Sequence, residues 1–167
     1  HKLIGREEIN SAQRNILVSH QFYLPAGKRA EDIERMDSEM RTVGNIDEVS
    51  ADILERFDYA ALGHIHKPMK VGSEVFRYCG TPLACSVSEA EQKKGIIMVE
   101  MEAKGEVKTT VLPLKPLHKV KVVKGTLEEI LKENCTDYVT VILTDKADLD
   151  VIDMQELSLI HISEPTR

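Results

Sequence analysis

Hydrophobic and polar positions alternate with different periods along this chain, and each change of period marks a predicted element. In "NILVSHQF" the apolar run Ile16, Leu17, Val18 gives way to polar Ser19 and His20. That predicts a short buried strand ending at a functional loop. The charged stretch from residue 24 to 45, with Pro25, Gly27 and Gly44, predicts a long surface loop with at most one turn of helix. In "DEVSADILERF" Val49, Ile53, Leu54 and Phe57 share one helical face, with Asp47 placed to cap it. This predicted helix leads into a strand, "YAALGHIH". Gly72 and Ser73 predict a turn before a strand over 75–78, which Gly80, Thr81 and Pro82 end. Residues 96–101 and 107–112 flank Lys104-Gly105 and predict a hairpin.

Past the hairpin the pattern changes again. Pro113 and Pro116 fit an exit strand becoming a domain linker. Val120, Val122 and Val123 predict a strand. Thr126 and Glu129 form a capping box at the start of a helix. Residues 138–143 are the next strand, so this piece reads as β-α-β and the start of a second, smaller domain.

Composition narrows the class. The chain has 167 residues, 42% of them hydrophobic but only 4% aromatic, which suits an α/β fold with a Val-, Ile-, Leu- and Ala-rich core. No apolar run approaches the ~20 residues of a membrane span, so no membrane association is expected. The formal charge of −6 does not advertise nucleic-acid binding, which usually shows a basic patch. It does not exclude it, because bound divalent cations reverse the local sign. Three unevenly spaced cysteines, Cys79, Cys85 and Cys135, argue against a disulfide framework and for a reducing, cytoplasmic compartment. All three are expected to be buried or half-buried.

The candidate chemistry lies in Gly-His-Ile-His, residues 63–66. In an extended strand, residues i and i+2 share a face, so His64 and His66 would converge if the chain stays extended there. Neutral imidazole is a common ligand for zinc, manganese and iron. A His-x-His alone fits either a metal pair or two hydrogen-bonded loop histidines. His20 ends another apolar run, and a triad of His20, His64 and His66 at parallel strand ends favours the metal. His118 is expected to be a solvated strand residue.

"FDYAALGHIHKP", "FRYCGTPLACSVSEAEQKKGIIMVEM" and "VLPLKPLHKVKVVKG" together resemble the SbcD family, the nuclease subunits of bacterial SbcC–SbcD complexes. The likeness runs over residues 15–153. Gly-His-x-His is shared by the whole calcineurin-like metallophosphoesterase superfamily, and the downstream segments narrow the resemblance. It implies the carboxy-terminal half of a β-sandwich flanked by helices over 1–115, and part of a small α/β capping domain over 116–156. It also implies two divalent metal ions, manganese or alternatively magnesium. His20 and His64 would hold one ion and His66 the other. The implied activity is phosphodiester hydrolysis of DNA, as duplex exonuclease and single-strand endonuclease, in repair and recombination. The implied partners are DNA and an SbcC-like coiled-coil ATPase, in a heterotetramer built on a homodimer.

The resemblance has a departure. The family's motifs Asp-x-His, Gly-Asp-x-x-Asp and Gly-Asn-His-Asp/Glu do not occur before Asn15. No catalytic residue is therefore assigned, and residues 1–167 alone are expected to be inactive. Residues 157–167, "LSLIHISEPTR", resemble a translated sequencing adapter and are set apart from the fold. Lys67 reads as a solvated lysine, and Ser86, Ser88 and Glu89 as capping and orienting residues. Cys79 and Cys85 fall beside the site as small residues rather than ligands. The alternatives are another calcineurin-like phosphodiesterase or phosphatase, or a non-catalytic docking module.

Overall fold

The computed structural model describes residues 2–6, 8–25, 27–28, 48–132 and 135–145. Most of the long charged loop, the expected cap Asp47 and the segment 157–167 lie outside the described residues. In chain order the elements are α1 (Lys2–Arg6), β1 (Ile16–His20), β2 (Phe22–Leu24), β3 (Glu48–Ser50), a 3-10 helix (Ala51–Arg56), β4 (Tyr59–Gly63), β5 (Met69–Val71) and β6 (Ser73–Tyr78). A short 3-10 helix (Val87–Glu89), β7 (Gly95–Met101), β8 (Val107–Pro113), β9 (Val120–Gly125), α2 (Leu127–Leu131) and β10 (Tyr138–Leu143) follow. The architecture is mixed α/β and rich in strands.

The main sheet has the order β1-β4-β6-β5. β1, β4 and β6 are parallel, and β5 runs antiparallel to β6. β4 is central, and its apolar run buries Tyr59, Ala60 and Leu62, as a strand covered on both faces should. β1 corrects the expectation of a buried strand. Among the described residues it lies at the sheet edge, with Ile16 54% and Val18 81% exposed.

The helix expected over 47–57 is also corrected. Residues 48–50 pair in parallel with β2, Phe22 opposite Glu48, and only Ala51–Arg56 coil, as a 3-10 helix. Ile53 and Leu54 are buried as the periodicity requires. Strand pairing with a distant segment has overridden the local preference of Val49 for the helical face.

Two polar contacts set the position of β1. The Asn15 N–H donates to the Asp58 carboxylate (2.7 Å), and the Asp58 N–H donates to the Asn15 carbonyl (2.9 Å). This pincer precedes the register Ile16 opposite Tyr59 and His20 opposite Gly63. Lys104, in the hairpin turn, also donates to Asp58 (2.6 Å). The Asn15 hydrogen bond and the Lys104 ammonium hold the Asp58 carboxyl below its ordinary pKa. At the other end of β1, the fully buried Tyr78 hydroxyl donates to the Gln21 carbonyl and accepts from the Tyr23 N–H, both at 2.7 Å. The chain just beyond His20 is thereby tied to β6.

The remaining elements follow the sequence reading. β7 and β8 pair as a hairpin, with Gly105 at φ 84° in its turn, where a residue without Cβ is favoured. β9 and β10 are a parallel pair joined through α2. The Thr126–Glu129 capping box is present in both directions. β5 and α1 were not foreseen. Cys79 and Cys135 are half-buried, but Cys85 is exposed, against expectation. His118 is half-buried before β9, its ring edge 5.8 Å from Tyr138, so it is not a solvated strand residue. Among the described residues no helix is long and apolar enough to cross a membrane.

Candidate metal centre

His20 and Gly63 face one another at the carboxy-terminal ends of parallel neighbours β1 and β4. That edge of an α/β sheet is where ligands commonly bind. The His20 and His64 rings meet there, centroids 5.6 Å apart and nearly perpendicular. Phe22 lies against His64 at 6.3 Å.

Gly63 makes the meeting possible. A Cβ at that position would lie 2.7 Å from His20 Nδ1, closer than real contacts allow. The second enabling feature is the His64 backbone, at φ 110°. A non-glycine residue in such a region costs on the order of 1–3 kcal/mol and persists only where its surroundings require it. β4 ends at Gly63, and the chain turns at His64 instead of staying extended. The expected convergence of His64 and His66 through strand alternation therefore does not apply. His64 reaches His20 because the chain turns.

His66 sits in a different set of contacts. Its Nδ1 lies 3.1 Å from Glu89 Oε1. Its carbonyl accepts from the Thr81 N–H (3.2 Å) and from Lys94 Nζ (3.1 Å). Gly80, at φ 80°, lets the chain pass close: a Cβ there would be 2.6 Å from the His66 carbonyl oxygen. Glu89 is wholly buried and forms an ion pair with Lys94 at 2.6 Å. Thr81 Oγ1 donates to Glu89 Oε2 (3.0 Å), and Ser86 Oγ donates to Oε1 (3.2 Å). The ammonium of Lys94 also meets Thr81 Oγ1 and Gln92 Oε1.

Among the described residues, the set of three His, Cys, Asp or Glu ligand atoms within 4.8 Å of one another is His66, Cys85 and Glu89, not the three histidines. That cluster already holds a cation, the Lys94 ammonium, against its carboxylate. It is a satisfied ion pair bordered by an imidazole and a thiol. The donor chemistry of the histidines themselves does fit divalent metal. His20 and His64 converge at a strand end, and neutral imidazole suits borderline divalent ions. A His66 ring that donates a hydrogen bond from Nδ1–H to a carboxylate carries its lone pair on Nε2, the pattern typical of metal-ligating histidine.

Sequence reasoning missed Glu89 as more than a capping residue and did not single out Lys94. The available signal was weak: a Glu and a Lys five residues apart after a Gly-Thr-Pro turn. Only burial shows that these charges face inward.

No protein-family model matches the chain. Over 125 residues it is 33% identical to the SbcD subunit of the nuclease SbcCD from Staphylococcus epidermidis, an alignment covering 75% of this chain and 32% of that protein. The chain thus spans about a third of the length of the curated relative it matches. By its name that relative is a nuclease and one subunit of the SbcCD complex.

Proposed function

We propose that this chain is part of an SbcD-type nuclease subunit of the calcineurin-like metallophosphoesterase superfamily, and that His20, His64 and His66 are metal ligands in it. The observation that carries the reading is the approach of His20 and His64 at the ends of paired parallel strands. A glycine whose absent side chain admits the His20 ring supports it. The main sheet and the β7–β8 hairpin would belong to the nuclease β-sandwich, and the β9-α2-β10 unit to the capping domain.

In this reading His20 and His64 hold one ion and His66 the other, with manganese as the metal and magnesium as the alternative. Bound ions would supply Lewis-acid polarisation of a scissile phosphodiester and a nucleophile at neutral pH. The chain's own contribution is to present imidazole nitrogens in fixed directions. The turn at His64 aims its ring at His20, and the Glu89 contact orients His66. The substrate is DNA, cut from duplex ends or within single strands. The partner is an SbcC-like coiled-coil ATPase, joined to a homodimer of nuclease subunits in the cytoplasm.

Three neutral imidazoles leave the repulsion between two divalent ions uncompensated. Residues 1–167 alone should therefore bind at most one ion weakly and should not cleave DNA. The test uses the intact parent protein with linear duplex DNA and Mn2+. Cleavage should be metal-dependent and nearly abolished in His64→Ala, with the circular dichroism spectrum unchanged. Full activity in His64→Ala would refute the assignment, and a parent without metal-dependent activity would favour a docking module.

A further inference from the structure

We infer that Glu89, held in place by the buried Lys94 ammonium, is a positioning residue that sets the tautomer and orientation of His66. The inference rests on the metal reading of His66 for its functional meaning, but its physical content stands on the contacts.

The Glu89 carboxylate sits among donors. Oε1 accepts from Ser86 Oγ, and Oε2 accepts from Thr81 Oγ1 and Lys94 Nζ. An ionised carboxylate has only lone pairs to offer. A hydrogen bond between His66 Nδ1 and Glu89 Oε1 therefore requires the proton on Nδ1 and places the imidazole lone pair on Nε2. An unconstrained histidine side chain favours the opposite, Nε2–H form. The carboxylate thus holds His66 in its less common tautomer, the one in which Nε2 can ligate.

Lys94 contributes twice. Its ammonium lies 2.6 Å from the wholly buried Glu89 carboxylate as its counter-charge. It also donates to the His66 carbonyl, so the pair grips both the side chain and the backbone of the same residue. Gly80 and the Thr81 N–H complete the grip on that carbonyl.

The isosteric change Glu89→Gln gives a sharp outcome. The new amide oxygen should turn toward Lys94 and Thr81, which both donate. The amide NH2 would then face His66 Nδ1. That nitrogen can accept only if the imidazole proton moves to Nε2. The substitution should reverse the hydrogen bond and take the lone pair away from the ligating nitrogen.

The experiment is nitrogen-15 NMR of the histidine side chains at alkaline pH, without metal, with His66 assigned by comparison with His66→Gln. The wild type should show His66 protonated on Nδ1, and Glu89→Gln should show it protonated on Nε2. Calorimetric titration of the intact parent protein with Mn2+ should show affinity reduced about 10–100-fold in Glu89→Gln, the range expected when a group that orients a ligand is lost. A wild-type His66 in the Nε2–H form would overturn the inference, and so would an unchanged tautomer in Glu89→Gln. If Glu89→Gln does not fold, the wild-type tautomer still decides the direction of the hydrogen bond. A tautomer that switches as stated, in an intact parent protein with no affinity for Mn2+, would uphold the positioning role and overturn the metal reading.

Discussion

Replacing Lys94 by Met tests the buried pair behind His66. The Lys94 and Glu89 side chains are 6% and 0% exposed, and their charged atoms are 2.6 Å apart. Methionine has a similar length and can fill the same space, so the lost interaction is mainly electrostatic. Glu89 would keep Thr81 and Ser86 as donors but lose its counter-charge. Breaking a buried pair by removing one partner costs about 3–5 kcal/mol. For a chain of this size each kcal/mol shifts the melting temperature by roughly 2–4 °C, so a fall of about 6–20 °C is expected. Urea denaturation followed by circular dichroism gives the free energy, and calorimetry gives the temperature. Lys70→Met is the control, because its pair with Glu74 is open to solvent, 53% and 63% exposed, and its removal should leave the midpoint unchanged. The double variant Glu89→Gln, Lys94→Met should recover part of the loss, since no uncompensated charge then remains. If Lys94→Met costs less than about 1 kcal/mol, well below the range for a buried pair, the pair is solvated in solution and the reasoning fails.

Gly63→Ala in the intact parent protein should weaken Mn2+ binding while leaving the unfolding midpoint nearly unchanged. The new Cβ would lie 2.7 Å from His20 Nδ1 and turn that ring away, but β4 itself accepts alanine. Titration calorimetry with an unaltered affinity would refute the role given to Gly63. Asp58→Asn should flatten the acid limb of stability. The Asp58 carboxyl is held below its unfolded value near 3.8, first by the Asn15 N–H and then by Lys104. Its contribution is therefore complete above that unfolded pKa and is lost as pH falls through the lower folded value. Denaturation midpoints measured over that acid range should fall less steeply in the variant, and parallel curves would refute the linkage.

The elements legible in the sequence are those whose cause is local. The β7–β8 hairpin was readable because Gly105 supplies the turn conformation between two alternating runs. The capping box was readable because Thr126 and Glu129 meet within a single helical turn. The turn at Gly72 and the β9-α2-β10 succession belong to the same class. The three histidines could be picked out as candidates because imidazoles ending apolar runs are uncommon. What depended on distant parts of the chain was not readable. Glu48–Ser50 became a strand because Phe22–Leu24 lay beside it, which no periodicity within 47–57 records. β1 looked buried from its own residues, but its place in the strand order leaves Ile16 and Val18 exposed. His64 meets His20 through a backbone turn at φ 110°, whereas strand alternation pointed it toward His66. Nothing in the sequence set Glu89 apart from a capping residue or singled out Lys94, since Glu and Lys are almost never fully buried unless paired. Side-chain chemistry and short-range geometry are written residue by residue along the chain. Which strand lies at an edge and which charge is sealed from water are properties of what packs against it, and only the folded chain determines those neighbours.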